Sequence, residues 1–390
     1  MTRTAIVNAR LVLAARTVEG SLLLDGGVIA AVHVGASAPT ADVIVDARNR
    51  YVAPGFIDIH VHGGGGFDLM TEDPQQVRAY ARWAVRNGVT GFLVSTSGPD
   101  HATIRRRLDA LAPIAALPPP ANSARMLGFH LEGPYINPAR KGAFPPGWLR
   151  APSVVEYEQL VASSGGWVQQ VTFAPELPDA EALARAIIAS GATAAIGHTD
   201  ATYEEARRAI GWGATHVTHC FNAMRPFAHR DPGVLAAVIA DNRVTVELIG
   251  DGAHVDFAAA RLLVRAKGAG RVALVTDGMP LAGTPDGEGE WEGTRIRVEG
   301  GKAIRVSDGT IIGGIITLDQ AVRNAVAHLD VPAHHAVAMG STVPARVINR
   351  GDLGRLAPGC AADLVLLDEG LRVVETWVAG ERVYAREGDG

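Results

Sequence analysis

Two histidines one residue apart stand near the end of the stretch 56–66, FIDIHVHGGGG. Along an extended strand alternate side chains share a face. Asp58, His60 and His62 are therefore expected to point one way, into a core, with Ile57, Ile59 and Val61 pointing the other. Three polar groups in a core are costly unless something pairs them. A metal ion does this well, because imidazole nitrogens at positions i and i+2 can reach one ion. Other apolar runs end in the same kind of residue: Glu132 closes RMLGFHLE, His198 closes ATAAIGH, His219 lies in THVTHC and Asp277 closes RVALVTD. Four histidines, one glutamate and one aspartate at strand ends point to a divalent metal site that activates water. Gly63 to Gly66 then read as a sharp turn just past the ligands that leaves room for metal and substrate.

The elements that must position these groups alternate. Strand-like runs occur at 56–62, 89–96, 125–132, 168–176, 192–198, 215–220, 244–251 and 271–277. Between them lie helical patterns such as DPQQVRAYARWAVRNG, SVVEYEQLVASSG, DAEALARAIIASG and TYEEARRAIGWG, several opening on Asp, Ser or Thr and stopping at Gly, as capped helices do. Eight strands alternating with helices predict an α/β fold, a (β/α)8 TIM-like barrel whose active site lies at the C-terminal ends of its strands. The first fifty residues and the stretch ADLVLLDEGLRVVETWVAGERVYA are instead short β pieces punctuated by Gly and Asp. The expected organisation is a small β-sandwich domain formed by residues 1–53 and 347–390, with the catalytic barrel at 54–346.

The whole-chain properties fit an enzyme acting on a small molecule. The 390 residues allow one large core and an addition, and 47% apolar with 20% charged residues is a globular balance. A net charge of −5 argues against a nucleic-acid surface and against a basic membrane patch. Two cysteines, Cys220 and Cys360, make no disulfide framework, and no apolar run is long enough to cross a bilayer, so a reducing, cytoplasmic setting is expected.

PGFIDIHVHGGGG, HLEGPYINPARKGAF, IGHTDAT, THCFNAM, DGAHV and LVTDGMP together resemble the amidohydrolase superfamily, and within it the N-acetylglucosamine-6-phosphate deacetylase family. The resemblance runs nearly end to end. It implies hydrolysis of the acetamide of N-acetyl-D-glucosamine 6-phosphate to glucosamine 6-phosphate and acetate. Deacetylation of N-acetylgalactosamine 6-phosphate or of an N-acyl amino acid is the alternative. It further implies a metal bound by Glu132, His198 and His219, and, because His60 and His62 are both present, a second one with Glu132 as bridge. Zinc is the first choice, with iron or manganese as alternatives. None of the lysines, Lys141, Lys267 and Lys302, stands at a suitable strand end to serve as a carboxylated bridge.

The same resemblance makes Asp277 the group that takes the water proton and returns it to the leaving amine. It assigns the phosphate to Arg230 and His254, with Asn222 and Ala223 nearby, and the sugar to Ala143 and the Ile312–Gly313 main chain. It implies a homodimer in which Arg230 reaches the neighbouring subunit's site; the alternative is an ordinary solvent-facing arginine. At Phe144, in KGAF, the family commonly carries a histidine. His130 is expected either behind the ligands or simply buried, and His216 and Cys220 in packing; His33, His101, His328, His334 and His335 have no supporting context.

Overall fold

The computed structural model describes residues 2–35 and 39–388. Eight parallel strands form the barrel sheet in chain order: Phe56–Asp58, Val89–Thr96, Arg125–Glu132, Val168–Phe173, Thr193–Ile196, His216–Val217, Thr245–Ile249 and Val272–Val275. The seam between the eighth and the first closes just past the strands themselves. There the Asp277 N–H donates to the His60 carbonyl at 2.9 Å and the His62 N–H to the Gly278 carbonyl at 2.7 Å. Thr276 Oγ1 adds a 2.6 Å bond to the Asp58 carboxylate below them.

Helices cover the outside because their sequences carry one apolar face and explicit caps. Asp73 caps Pro74–Ala84, Ser153 caps Val154–Ser163, and Thr202 forms a reciprocal capping box with Glu205 at the start of Tyr203–Trp212. Asp179, which the pattern reads as another cap, has φ 62° and makes no capping bond to Ala180–Ala189. Val77, Tyr80, Leu160 and Leu183 from these helices, and Leu108 from the helix His101–Ala116, pack with Phe92, Phe129 and Phe173 on the outer faces of the strands.

Both ends of the chain join in one eight-stranded sheet. Tyr51–Pro54 lies between Thr4–Val12, to which it is parallel, and Leu364–Leu367, to which it is antiparallel. Ile6, Leu11, Leu22, Ile29, Val52, Leu364, Leu366 and Trp377 form this sheet's own core. Val12, Ala53, Val365, Leu367 and Val373 face the other way and belong to the barrel's cluster. A three-stranded antiparallel sheet, Gly287–Trp291, Thr294–Glu299 and Lys302–Arg305, is inserted after the eighth barrel strand.

The first barrel strand departs from the simple alternation. It ends at Asp58, and the chain bends at Ile59–His60. Ile57 and Ile59 join Leu93, Leu127, Ile249, Ala273 and Val275 of the barrel strands, and Val343, Ala345 and Val347 of the helix Thr342–Val347, in one cluster, whereas Val61 packs with the helix-facing set. Asp58 does not share a face with His60 and His62. It lies beside Tyr80 and Trp83 and is bound to Thr276. The bend breaks the period of two, and this is why one strand supplies both an apolar floor and two inward histidines.

The glycine run is also used differently from the expectation. Gly63–Gly64 pairs with Phe67–Asp68 across a turn in which Gly65 and Gly66 have φ of 62° and 90°. A Cβ on Gly63 would stand 2.4 Å from the Phe67 carbonyl oxygen, and one on Gly64 2.5 Å from the Trp83 ring. The glycines permit the turn and close packing on a helix, and none of the four lines the cavity described below.

Candidate active site

Six side chains converge at the C-terminal ends of the barrel strands. Glu132 is the hub: its Oε1 lies 3.1 Å from His198 Nε2, 3.0 Å from His219 Nε2 and 3.4 Å from His60 Nε2, while its Oε2 lies 3.0 Å from His62 Nε2. Asp277 Oδ1 sits 3.3 Å from His60 Nε2 and 3.5 Å from His62 Nε2. Two ligand groups result, Glu132 with His198 and His219, and Asp277 with His60 and His62. The carboxylate of Glu132 touches both.

Three of these groups sit on strained backbone. His198, His219 and Asp277 have φ of 46°, 25° and 48°, a left-handed conformation that non-glycine residues rarely take. Each lies two residues beyond the last residue of its strand, which is why the strands stop at Ile196, Val217 and Val275, short of the sequence-based limits.

Two of the four rings, those of His198 and His60, are presented as metal donors would be. His198 Nδ1 donates to the Arg140 carbonyl at 2.8 Å, and His60 Nδ1 lies 2.8 Å from the Glu247 carboxylate. A proton on Nδ1 leaves the lone pair of Nε2 facing the cluster. His60 Nε2 is fully buried without a hydrogen-bond partner, between two carboxylates. A lone pair facing anions is repelled by them unless a cation lies between. A tetrahedral zinc ion with bonds of about 2.0–2.1 Å spaces its ligand atoms about 3.3 Å apart, close to the separations here. The residues therefore fit a divalent ion in both donor type and spacing.

The electrostatics point the same way. Burial alone would lower the pKa of His62, but its hydrogen bonds to Asp277 and Glu132 outweigh burial and raise it to about 9. For His60, burial is likewise overcome by Glu132, Glu247 and Asp277, and the pKa rises well above the ordinary value. The site attracts positive charge, whether as protons or as metal.

A cavity of about 230 Å³ opens over the cluster. Ala143, Asn222, Ala223, His254, Ile312 and Gly313 line it, together with His62, Glu132, His198, His219 and Asp277. Asp277 is the more accessible acid, 14% exposed at its side chain against 5% for Glu132. His254 Nδ1 is bound to Asp251 at 2.7 Å; desolvation opposes protonation of His254, but Asp251 and Asp277 prevail and raise its pKa. Arg230 does not line this cavity. It is exposed on the 226–231 loop and has no hydrogen-bond or ion-pair partner among the described residues.

His130 is buried and bound on both nitrogens, to Ser95 Oγ at 2.9 Å and Thr172 Oγ1 at 2.8 Å, so it has no free lone pair for a metal. Cys220 and Cys360 are buried and free. The inserted sheet contributes wall residues that sequence reading missed: Trp291, Glu292, Thr294 and Arg305. Trp291 lies tilted against His62 at 5.7 Å between centroids and bonds to Asp68, and Glu292 is held by Arg107 at 2.9 Å. The available signal was the alternation and Gly turns of GEGEWEGTRIRVEGGKAIRV. Glu247, a lone acid in the apolar run VTVELI, was missed as well.

Comparison with known proteins gives a consistent result. A model described as the Amidohydrolase family matches residues 51–383. The N-acetylgalactosamine-6-phosphate deacetylase of Escherichia coli O157:H7 is 35% identical over 97% of this chain and 99% of its own length. The N-acetylglucosamine-6-phosphate deacetylase of Bacillus subtilis (strain 168) is 33% identical over 90% of this chain and 89% of its own. A variant N-acetyl-D-glucosamine-6-phosphate deacetylase from Mycobacterium smegmatis, solved in complex with N-acetyl-D-glucosamine-6-phosphate, superimposes with a TM-score of 0.92 at 34% identity, covering 99% of this chain and 100% of that one.

Proposed function

We propose, from the premise that this chain belongs to the amidohydrolase family, that it hydrolyses the acetamide of N-acetyl-D-glucosamine 6-phosphate to glucosamine 6-phosphate and acetate. One observation carries this reading. The carboxylate of Glu132 meets the ring nitrogens of His198, His219 and His62 beneath a cavity into which Asp277 faces.

Glu132, His198 and His219 would hold one divalent ion, and His60, His62 and Asp277, with Glu132 between, a second. Zinc suits this donor set best, ahead of iron or manganese. A bound ion supplies Lewis-acid polarisation of the carbonyl and lowers the pKa of water to about 7. The chain's own residues do the rest. Asp277 is ionised: burial raises its pKa, but the positive charge gathered on the His60–His62 side of the cluster prevails and lowers it. Its carboxylate takes a proton from the attacking water as the new C–O bond forms. It then gives that proton to the amide nitrogen as the C–N bond breaks, so one group acts as base and then as acid. His254, whose protonation Asp251 favours, donates to the phosphate together with Asn222 and the Ala223 main chain. Ala143 and the Ile312–Gly313 main chain flank the sugar.

Arg230 serves the neighbouring subunit in a homodimer on this reading, supported by its exposure and its absence from its own cavity. Among the described residues no helix is long and apolar enough to cross a membrane, and both cysteines are free. A cytoplasmic setting is part of this proposal, supported by the two free cysteines.

A second substrate, N-acetylgalactosamine 6-phosphate, is favoured by the relative that matches over 97% of this chain. The two sugars differ only in the orientation of one hydroxyl group, so a kcat/KM comparison on zinc-loaded protein separates them. Faster acetate release from the gluco epimer is expected; preference for the galacto epimer would move the assignment to the second substrate. Acetate release from neither would overturn the proposal.

A further inference from the structure

We infer that Glu247 is a positioning residue that sets the tautomer and aim of His60 and pins the strained His219 turn, so that one carboxylate holds both halves of the metal site; this rests on the metal-centre reading above. Glu247 lies in the middle of the seventh barrel strand, Thr245–Ile249, and is wholly buried. Its neighbours Val246 and Leu248 face the helices, so its side chain points into the barrel beneath the ligands.

Four donors converge on it. His60 Nδ1 at 2.8 Å and the His219 main-chain N–H at 2.9 Å meet Oε2. Gln170 Nε2 at 2.8 Å and His216 Nε2 at 3.1 Å meet Oε1. An ionised carboxylate accepts only, so the proton of His60 belongs on Nδ1 and that of His216 on Nε2. Only the first tautomer leaves His60 Nε2 free to ligate, 3.4 Å from Glu132 Oε1 and 3.3 Å from Asp277 Oδ1.

The second action is on the backbone. The sixth barrel strand has only two residues, His216–Val217, so its ladder does little to hold the turn beyond it. His219, in that turn, takes φ 25°, a conformation needing outside support. Glu247 provides it on two successive amides: its side chain accepts from the His219 N–H and its main-chain carbonyl from the Cys220 N–H at 3.0 Å. The Glu247 carboxylate thus reaches a ligand of each group, the His60 ring directly and His219 through its amide.

The test uses Glu247→Leu and Glu247→Gln in the full chain loaded with zinc, with zinc content and affinity read by chelator competition. Leucine removes every acceptor. Glutamine keeps one oxygen for His60 and His219, while Gln170 and His216 can reorient toward its amide. The expected result for Glu247→Leu is a loss of about 10–100-fold in zinc affinity, larger for the ion on His60, with Glu247→Gln recovering most of it. A folded Glu247→Leu chain with parental affinities would overturn the inference, and a fall in Tm alone would assign Glu247 to general stability. Should Glu247→Leu not fold, ¹⁵N spectra of the zinc-loaded parent decide. They should show the His60 proton on Nδ1 and zinc on Nε2; zinc on Nδ1 would overturn the inference. A parent chain that binds no zinc at all would instead remove the metal-centre reading itself.

Discussion

The Asp277 N–H donates to the carbonyl of His60 at 2.9 Å, across the seam where the last barrel strand meets the first. This bond places the Asp277 carboxylate 3.3 Å from the His60 ring although the two residues lie at opposite ends of the barrel's sequence. The contact that closes the barrel thus also brings Asp277 to the histidine cluster, with its side chain facing the cavity.

Asp277→Asn keeps the shape and the seam bond but cannot take a proton. The loss of kcat should exceed the ~10²–10⁴-fold usual for general acid–base catalysis, because the group is used twice. The ion on Glu132, His198 and His219 should remain. Near-parental turnover in a metal-replete variant would remove Asp277 from the mechanism.

Replacing His60 and His62 together takes two nitrogens from one ligand group and leaves Glu132, His198 and His219 in place. Metal analysis of the purified double variant should show about one ion fewer per chain than the parent. An unchanged stoichiometry would show that the two histidines hold no ion of their own.

His254→Ala and Arg230→Ala should damage turnover of the phosphorylated sugar far more than that of the plain N-acetyl sugar. A charged hydrogen bond contributes roughly 1.5–3 kcal/mol, tenfold or more in kcat/KM. Equal losses on both substrates would assign these residues to structure. Mixing Arg230→Ala chains with Asp277→Asn chains should restore activity where an intact site receives the partner's arginine; an inactive mixture would confine Arg230 to its own subunit.

The protonation of His254 gives a pH dependence of known sign. Its pKa in the fold is raised, so the positive charge is complete below the ordinary histidine value and is lost as pH rises through the higher, folded one. KM for the phosphorylated sugar should climb across that upper window. A His254→Gln variant should show no such rise, and a matching rise in the variant would place the titration elsewhere.

Phe144 stands with its ring edge-on to His198 at 5.3 Å and near Trp148 at 6.3 Å, and offers no hydrogen bond to a substrate carbonyl. With both ligand groups intact, the metal centre should suffice to polarise that carbonyl. Phe144→His should then change kcat on N-acetyl-D-glucosamine 6-phosphate by less than about tenfold, or ~1.4 kcal/mol of barrier. A gain of a hundredfold would show that the natural acyl or sugar group is a different one.

The residue types at the ends of the apolar runs already marked the groups that converge at the strand ends, because few roles in a core suit a histidine or an acid at such a position. The alternation of strands and helices marked the barrel, and it also told which end of the strands the site must occupy. Local pattern stopped there for physical reasons. The period of two assumes an unbroken strand, and the bend at Ile59–His60 breaks it, so Asp58 left the ligand set and became the partner of Thr276. Positive φ at His198 and His219 accompanies side chains aimed inward that a regular strand would have aimed at the helices, as it aims Ile196 and Val217. Such conformations are unfavourable locally and survive only where distant groups hold them. The bonds that Glu247 makes to His60, His216, Gln170 and the His219 amide join four different strands. No window of sequence contains those partners together, and the closed barrel is what brings them within reach.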